Sequence, residues 1–214
     1  MRQFVFAHAF LIVAFGVGIA VRMDGSSQRS TDDDDRAVIL AILEHTVRPD
    51  VARANGSATP VPPLFVFNRT TAICTDVPEF KYPCVQRSVI EALRDGDSPA
   101  TRAIESDLIR RELIEAFESR NQTSHALPRL GAQRVVMVSS REIAKSGGAK
   151  SGGARHEPAR GHSYFSRPAY STQGYALVHG VYDCGFLCGT GRFFVLKKTA
   201  SGWHVAAAVM LWIS

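Results

Sequence analysis

The sequence predicts an α+β fold, with N-terminal helices packed on a C-terminal four-stranded antiparallel meander. The first observation is that the chain after residue 163 is rich in Val, Tyr, Phe and Leu, in strand-length segments with short polar connections. Such connections join antiparallel neighbours. The second observation is a helical spacing of apolar residues upstream, from Ser98 to Arg120. The predicted strands are 164–170, 175–182, 191–198 and 203–213.

One face of this sheet is expected to carry the contact with the preceding helices. Along a strand, alternate residues point to the same face, so every second apolar side chain should meet the helix. The helix residues expected at this contact are Ile104, Leu108 and Phe117. The sheet residues expected to face them are Ala176, Val178, Phe194, Leu196 and Val205.

Residues 1–25 have the composition of an export signal. Arg2 gives a positive start, an almost unbroken apolar run extends from Phe4 to Val21, and Gly18-Ile19-Ala20 offers small residues for cleavage. A run of this length also nearly spans a bilayer, so a cleaved signal peptide and a membrane anchor at residues 4–21 are both open. Either outcome places the rest of the chain in the periplasm or outside the cell, with membrane contact only through this segment.

Residues 26–63 are predicted to form a helix followed by a Pro-rich linker. The acidic run Asp32–Asp35 precedes a periodic apolar stretch, and carboxylates favour the positive end of a helix dipole. The helix should therefore begin there and end near Pro49. The α+β domain then covers 64–214 and starts with a strand at Leu64–Phe67. A repeated Ala-Lys-Ser-Gly-Gly motif predicts a flexible insertion at 145–162.

The four cysteines are Cys74, Cys84, Cys184 and Cys188. An even count in an exported chain predicts two disulfides, and local pairing is the simplest of three arrangements. The spacing of Cys184 and Cys188 does not match a Cys-x-x-Cys redox pair. Zinc would need two further ligands, and Cys74 and Cys84 are too far apart in sequence to supply them as a tight pair. We therefore expect no metal and no cofactor.

Composition and motifs favour binding over catalysis. A formal charge of +5 on 214 residues, without a basic stripe, does not indicate nucleic acid. The first interpretation is a non-catalytic exported domain that binds a small ligand or an envelope protein, or serves the envelope structurally. The alternative is a hydrolase or thiol-dependent enzyme that uses His179, Asp183, His204 or a reduced cysteine. Sequons at Asn55, Asn68 and Asn121 would matter only in a glycosylating host.

The C-terminal part of the chain carries five short motifs: Phe165–Ser171, Tyr175–Val178, Cys184–Gly189, Gly202–Val205 and Trp212–Ser214. Together these motifs resemble an uncharacterised family of bacterial exported proteins. The resemblance covers roughly residues 105–214, including the helix around Arg111–Phe117, and the insertion departs from the pattern. It implies a chain that ends in a β-meander and implies no assigned activity.

Overall fold

A computed structural model describes residues 25–54, 63–74, 84–96, 99–102, 104–142, 161–183 and 189–213, with side chains of the first helix described from Thr31 to Thr46. The helices are α1 (Gly25–Ala54), α2 (Arg87–Arg94), α3 (Pro99–Arg102) and α4 (Asp107–Arg120). The strands are β1 (Leu64–Phe67), β2 (Val135–Val138), β3 (His162–Phe165), β4 (Ala169–Tyr170), β5 (Tyr175–Asp183), β6 (Gly189–Thr199) and β7 (Gly202–Ile213).

The combination of helices and a sheet is confirmed, but the sheet is larger than a four-stranded meander. Its seven strands run in the order β2-β1-β3-β5-β6-β7, and β4 pairs with β5 beside β3. Strands β5, β6 and β7 are antiparallel neighbours, whereas β1 is parallel to both β2 and β3. The expected first strand is divided into β3 and β4. The break fits Pro168, which lacks an N–H for the ladder.

Helices cover both faces of the sheet, contrary to the expectation of one covered face. On the first face, α2 and α4 contribute to a cluster that includes Leu113, Phe117 and Phe193. On the second face, α1 packs through Val38, Ile39, Ile42 and Leu43 on a cluster that includes Phe194. Because neighbouring strand residues point to opposite faces, β5 is buried without interruption from Tyr175 to Val181.

The expected partners of α4 are therefore wrong. The five sheet residues expected to meet Ile104 and Phe117 lie on the α1 face, whereas Phe117 of α4 and Ile104, in the connection before α4, lie on the opposite face. Leu108, the third expected contact, is 61% exposed. The start of the helix was also misplaced, because Pro99–Arg102 is a separate short helix. Helix α4 begins after Ser106, whose side chain accepts the Ile109 N–H at 3.3 Å.

The acidic run does not mark the beginning of α1. The helix starts at Gly25 and continues past Pro49 to Ala54, so Asp32–Asp35 lie inside it. Asp35 is buried and accepts hydrogen bonds from Arg120 at 3.0 and 3.1 Å, Arg167 at 3.3 Å and the Tyr170 hydroxyl at 2.7 Å. The carboxylate therefore attaches α1 to α4 and to the β3–β4 segment, and the helix-dipole interpretation is wrong.

Burial and ion pairing act in opposite directions on this acidic pair. Burial raises the pKa of the Asp35 carboxyl, against the lowering effect of Tyr170, Arg120 and Arg167. Burial also raises the pKa of the Tyr170 hydroxyl, and the neighbouring Asp35 charge adds to the rise. Burial alone would raise the pKa of Asp34, but hydrogen bonds from Lys198 and Trp203 bring it below its usual value. Asp35 is thus buried among its hydrogen-bond partners, whereas Asp34 is half-buried beside Lys198 and Trp203.

The described ranges contain no helix that is long and apolar enough to cross a membrane. The predicted signal or anchor at residues 1–25 lies outside those ranges except for Gly25, where α1 begins. Most of the predicted insertion at 145–162 is also outside them. The described residues within it are Gly161 and His162, and His162 opens β3.

Candidate binding surface

The described side chains of α1 cover one end of its sheet face. Its apolar residues pack with Ala176, Val178, Phe194 and Leu196, in the part of β5 and β6 near Tyr175. Toward the other end of these strands the α1 face carries a different set of side chains. We call this set the Arg192 surface, and it consists of Gly180, Tyr182, Arg192 and Met210.

Strand register places these residues side by side. Arg192 is paired with Gly180 on β5 and with Met210 on β7. The β5–β6 register is unbroken, so Arg192 lies on the same face as Phe194, two residues further along β6. Tyr182 is two residues beyond Gly180 on β5 and shares this face for the same reason.

Glycines let aromatic rings lie close to the backbone here. A Cβ built on Gly161 would be 2.1 Å from the Tyr182 hydroxyl oxygen, so the phenol ring lies directly over that glycine. A Cβ on Gly180 would meet the rings of Phe194 at 2.9 Å and Phe165 at 3.2 Å. The Tyr182 side chain is nevertheless 45% exposed, and Met210 is 46% exposed. The surface therefore combines apolar contact area with access from solvent.

Arg192 is the charged group of this surface. Its Nε is buried and has no hydrogen-bond partner, and no ion pair joins its guanidinium to a carboxylate within the described ranges. Arg120 and Arg167, by contrast, both bind Asp35. A guanidinium is always charged and offers donors in a planar fork that matches carboxylate and phosphate groups. Arg192 is thus available to an external anion.

One of the two predicted disulfides is present. Cys74 and Cys84 are bonded, with their Cα atoms 5.1 Å apart, and the bond closes the short local loop that was the simplest expectation. The neighbouring Ile73 and Val85 form a parallel bridge that places the two cysteines side by side. Cys184 and Cys188 lie outside the described residues, so their pairing stays a prediction.

The three candidate catalytic residues do not form one site. His179 is buried in the middle of β5 with its ring against Phe193, at 5.3 Å between ring centroids. Asp183 lies four residues further along β5, roughly 13 Å away, and its register partner is His162. His204 is exposed at the start of β7, where its Nε2 is 2.8 Å from the Ser201 Oγ. The structure brings together Asp183 and His162, which the sequence did not pair.

Burial lowers the pKa of two histidines in the sheet, His162 and His179. It lowers the pKa of His179 from 6.5 to about 4, and no hydrogen bond satisfies the His179 Nδ1. Burial also lowers the pKa of His162, although the charge of Asp183 opposes the change. The lowered pKa of each of the two residues favours its neutral ring. A neutral histidine is able to accept a proton. As for metal binding, the described residues hold no cluster of three or more His, Cys, Asp and Glu side chains that could hold a metal ion.

Two of the three sequon asparagines, Asn68 and Asn121, lie in the described part of the chain, and both are at least partly buried. The Asn121 side chain is fully buried, where its Nδ2 donates to the backbone oxygens of Phe117 and Arg167 and its Oδ1 accepts the Arg167 N–H at 2.7 Å. This asparagine joins the end of α4 to the β3–β4 connection, and attachment of a glycan would require it to leave the core. Asn68 is half-buried, and Asn55 lies outside the described ranges.

An open groove of about 430 Å³ lies between α4 and the β4–β5 turn. Its lining includes Leu108 and Glu112 from α4 and Thr172 from the turn. The Glu112 carboxylate accepts hydrogen bonds from the Thr172 N–H at 2.7 Å and from its hydroxyl at 3.2 Å. This carboxylate is therefore already used within the protein, unlike the guanidinium of Arg192.

Comparison of the chain with models of protein families, with curated proteins and with solved structures found no match. The assignment of a site therefore depends on the chain itself. Sequence reasoning did not identify Arg192, although a signal was present. It is the only charged residue between Gly189 and Leu196, in a strand that is otherwise apolar or small apart from Thr190.

Proposed function

We propose that this protein is an exported, non-catalytic binding domain whose Arg192 surface takes an anionic group from a small ligand or an envelope protein. The observation that carries the proposal is Arg192 itself. It is an arginine on a sheet face, with no carboxylate partner in the described part of the chain, beside the exposed side chains of Tyr182 and Met210.

The chemistry of the surface defines the ligand class. The guanidinium would bind a carboxylate or phosphate through two parallel hydrogen bonds. Tyr182 would supply a flat apolar face next to that anion, and Met210 a flexible one that adapts to different shapes. The best ligand therefore carries one anionic group attached to an apolar or aromatic body, such as an acidic side chain flanked by apolar residues.

Export is supported by the disulfide and by the sequence. The Cys74–Cys84 bond is of the kind that persists in oxidising compartments outside the cytoplasm. The apolar run from Phe4 to Val21 and the resemblance to exported bacterial proteins point to the same location. A partner in the envelope or in the surrounding medium would meet the Arg192 surface there.

The proposal is tested with a defined probe. Phenylacetate offers a carboxylate and an aromatic body, and phenethylamine offers the same body with the opposite charge. Titration of isotope-labelled protein with each probe, followed by NMR, should show phenylacetate shifting the signals of Tyr182, Arg192 and Met210. Phenethylamine should leave these signals in place. Inorganic phosphate, as a third probe, distinguishes simple anion binding from recognition of the whole ligand.

Two variants provide the controls. Arg192→Gln should weaken phenylacetate binding about tenfold or more, the loss expected for a charge-assisted bidentate contact. Arg94→Gln removes a surface arginine that is paired with Glu118 at 2.9 Å, and this variant should bind as the wild type does. Equal binding by the Arg192→Gln variant, or shifts located away from the surface, would exclude this site.

A further inference from the structure

Strand β7 forms one edge of the sheet. It pairs with β6 on one side and is the last strand in the order, so no described strand lies on its other side. It is the longest strand in the described ranges, with 12 residues from Gly202 to Ile213. No charged residue and no proline occurs between Val205 and Ile213.

Edge strands usually carry features that prevent pairing with another chain. Common ones are short length, lysines, prolines and bulges. The opposite edge, β2, is only four residues long. In β7 the register shifts leave Ala206 and Leu211 without β6 partners, which are two bulges. The regular segment Ala207–Met210 lies between them and carries no lysine and no proline.

The C-terminal half of β7 is also apolar and has several exposed side chains. Ala208 is exposed in the regular segment, and Met210 and Trp212 follow it. The Trp212 indole lies over Gly191, where a built Cβ would be 2.1 Å from its nitrogen. Ile213 is 69% exposed. These residues give a partner strand apolar contact in addition to backbone hydrogen bonds.

We infer that β7 pairs with β7 of a second copy of this chain, antiparallel across a two-fold axis, so that two sheets become one. The strand carries no charged residue between Val205 and Ile213. Antiparallel pairing of this segment with the same segment of a second copy therefore sets no like charges opposite each other. In a pairing centred on Ala208, Trp212 of one copy lies opposite His204 of the other. Small alanines at the centre let the two backbones approach.

The second copy is favoured over other occupants by closure of the assembly. Pairing of β7 with the short β2 edge of another copy would leave most of β7 unpaired and would continue as an open chain. Pairing of β7 with itself is centred on the regular segment of both copies and stops at two copies. This dimer does not rest on the proposed ligand site, because its pairing runs along the backbone of β7 and the two sites share only Met210.

The test uses charge at Ala208 in the full, disulfide-bonded chain. Sedimentation velocity should show the wild type as a dimer. Ala208→Lys and Ala208→Glu should each weaken association about tenfold or more, because two like charges then meet across the two-fold axis. An equimolar mixture of the two variants should recover the dimer, since opposite charges now meet.

Controls separate pairing from misfolding. Val136→Lys places the same charge on the exposed residue of the β2 edge and should leave the dimer unchanged. Circular dichroism should show the same melting temperature for the two Ala208 variants when both are monomeric. A wild type that stays monomeric up to about 100 µM would overturn the inference. Dissociated Ala208 variants that do not recover on mixing would overturn it as well, as would dissociation by Val136→Lys alone.

Discussion

His179 should make the folded protein sensitive to acid. The side chain is 3% exposed, lies against Phe193, and has an Nδ1 without a hydrogen bond. Burial lowers its pKa to about 4, whereas the ordinary value is 6.5. Between these two pH values the unfolded chain binds a proton at this residue that the folded chain does not bind. Stability must therefore fall as pH decreases through this window.

The size of the effect follows from the two pKa values. The folded value of about 4 lies roughly 2.5 below the ordinary one, and each pH unit corresponds to about 1.4 kcal/mol. The titration of His179 therefore leaves the free energy of unfolding unchanged above about pH 6.5. By pH 4 it has lowered that free energy by about 3 kcal/mol. A loss of this size is a large part of the 5–15 kcal/mol that is typical of folded domains.

Urea unfolding at a series of pH values between 4 and 8 measures this loss. Other groups titrate in the same range, so the informative quantity is the difference between the wild type and His179→Leu. The leucine variant fills the site with an apolar side chain that cannot bind a proton. Over the same pH window its free energy of unfolding should therefore decrease by about 3 kcal/mol less than that of the wild type. His204→Gln is the matched control at an exposed histidine and should retain the full slope.

Parallel pH profiles for the wild type and His179→Leu would refute the reasoning. They would mean that the protonated ring finds a partner or solvent in the folded state. A second readout is direct, because NMR can follow the ring of His179 during a pH titration. A midpoint near 6.5 in the folded protein would have the same meaning, whatever the stability data show.

Three further stability predictions follow from the core, each measured by urea unfolding. Asp35→Asn should cost about 3 kcal/mol because it leaves two arginines of a buried cluster unpaired, whereas Asp34→Asn should cost less than about 1 kcal/mol at a more exposed pair; equal losses would contradict the cluster. Replacing Cys74 and Cys84 by Ser should cost about 3 kcal/mol for a loop of this length, and an unchanged protein would show that the bond is unimportant. Gly180→Ala should cost about 1–3 kcal/mol through collision with two phenylalanine rings, and a neutral result would place those rings elsewhere.

Local patterns in the sequence predicted much of the C-terminal sheet. Strands β5, β6 and β7 are close to the predicted segments because their apolar runs are bounded by glycines and polar turns. The disulfide between Cys74 and Cys84 was predicted from spacing and compartment. In both cases the interacting residues are near each other in the chain, so local spacing carries the information.

Long-range pairing could not be predicted in the same way. The run at Leu64–Phe67 was recognised as a strand, but its parallel pairing with Val135–Val138 joins segments far apart in sequence. Alternation separates the two faces of a strand without saying which helix covers which face. A usable signal was nevertheless present in β5, where Tyr175–Val181 is apolar on both faces except for His179. Such a run is typical of a strand covered on both sides.

Charged residues were the least predictable part. Asp35 was interpreted by its position in an acidic run, and its role depends on Arg120 and Arg167, which a linear pattern cannot bring together. The same reasoning applies in reverse to Arg192. Only the fold shows that no ion pair joins Arg192 to a carboxylate among the described residues, whereas Arg120 and Arg167 both bind Asp35.

The positions of the two proposed interaction sites have a common physical origin. The helices α1 and α4 cover the centre of the sheet, around Phe193 and Phe194, and seal the apolar core there. Neither core cluster includes the Arg192 surface or the outer edge of β7, so the apolar side chains in these places lose contact with water only when another molecule binds. Exposed apolar area is unfavourable in a monomer. A ligand on the sheet face and a second copy at the edge would each remove part of that cost without disturbing the core.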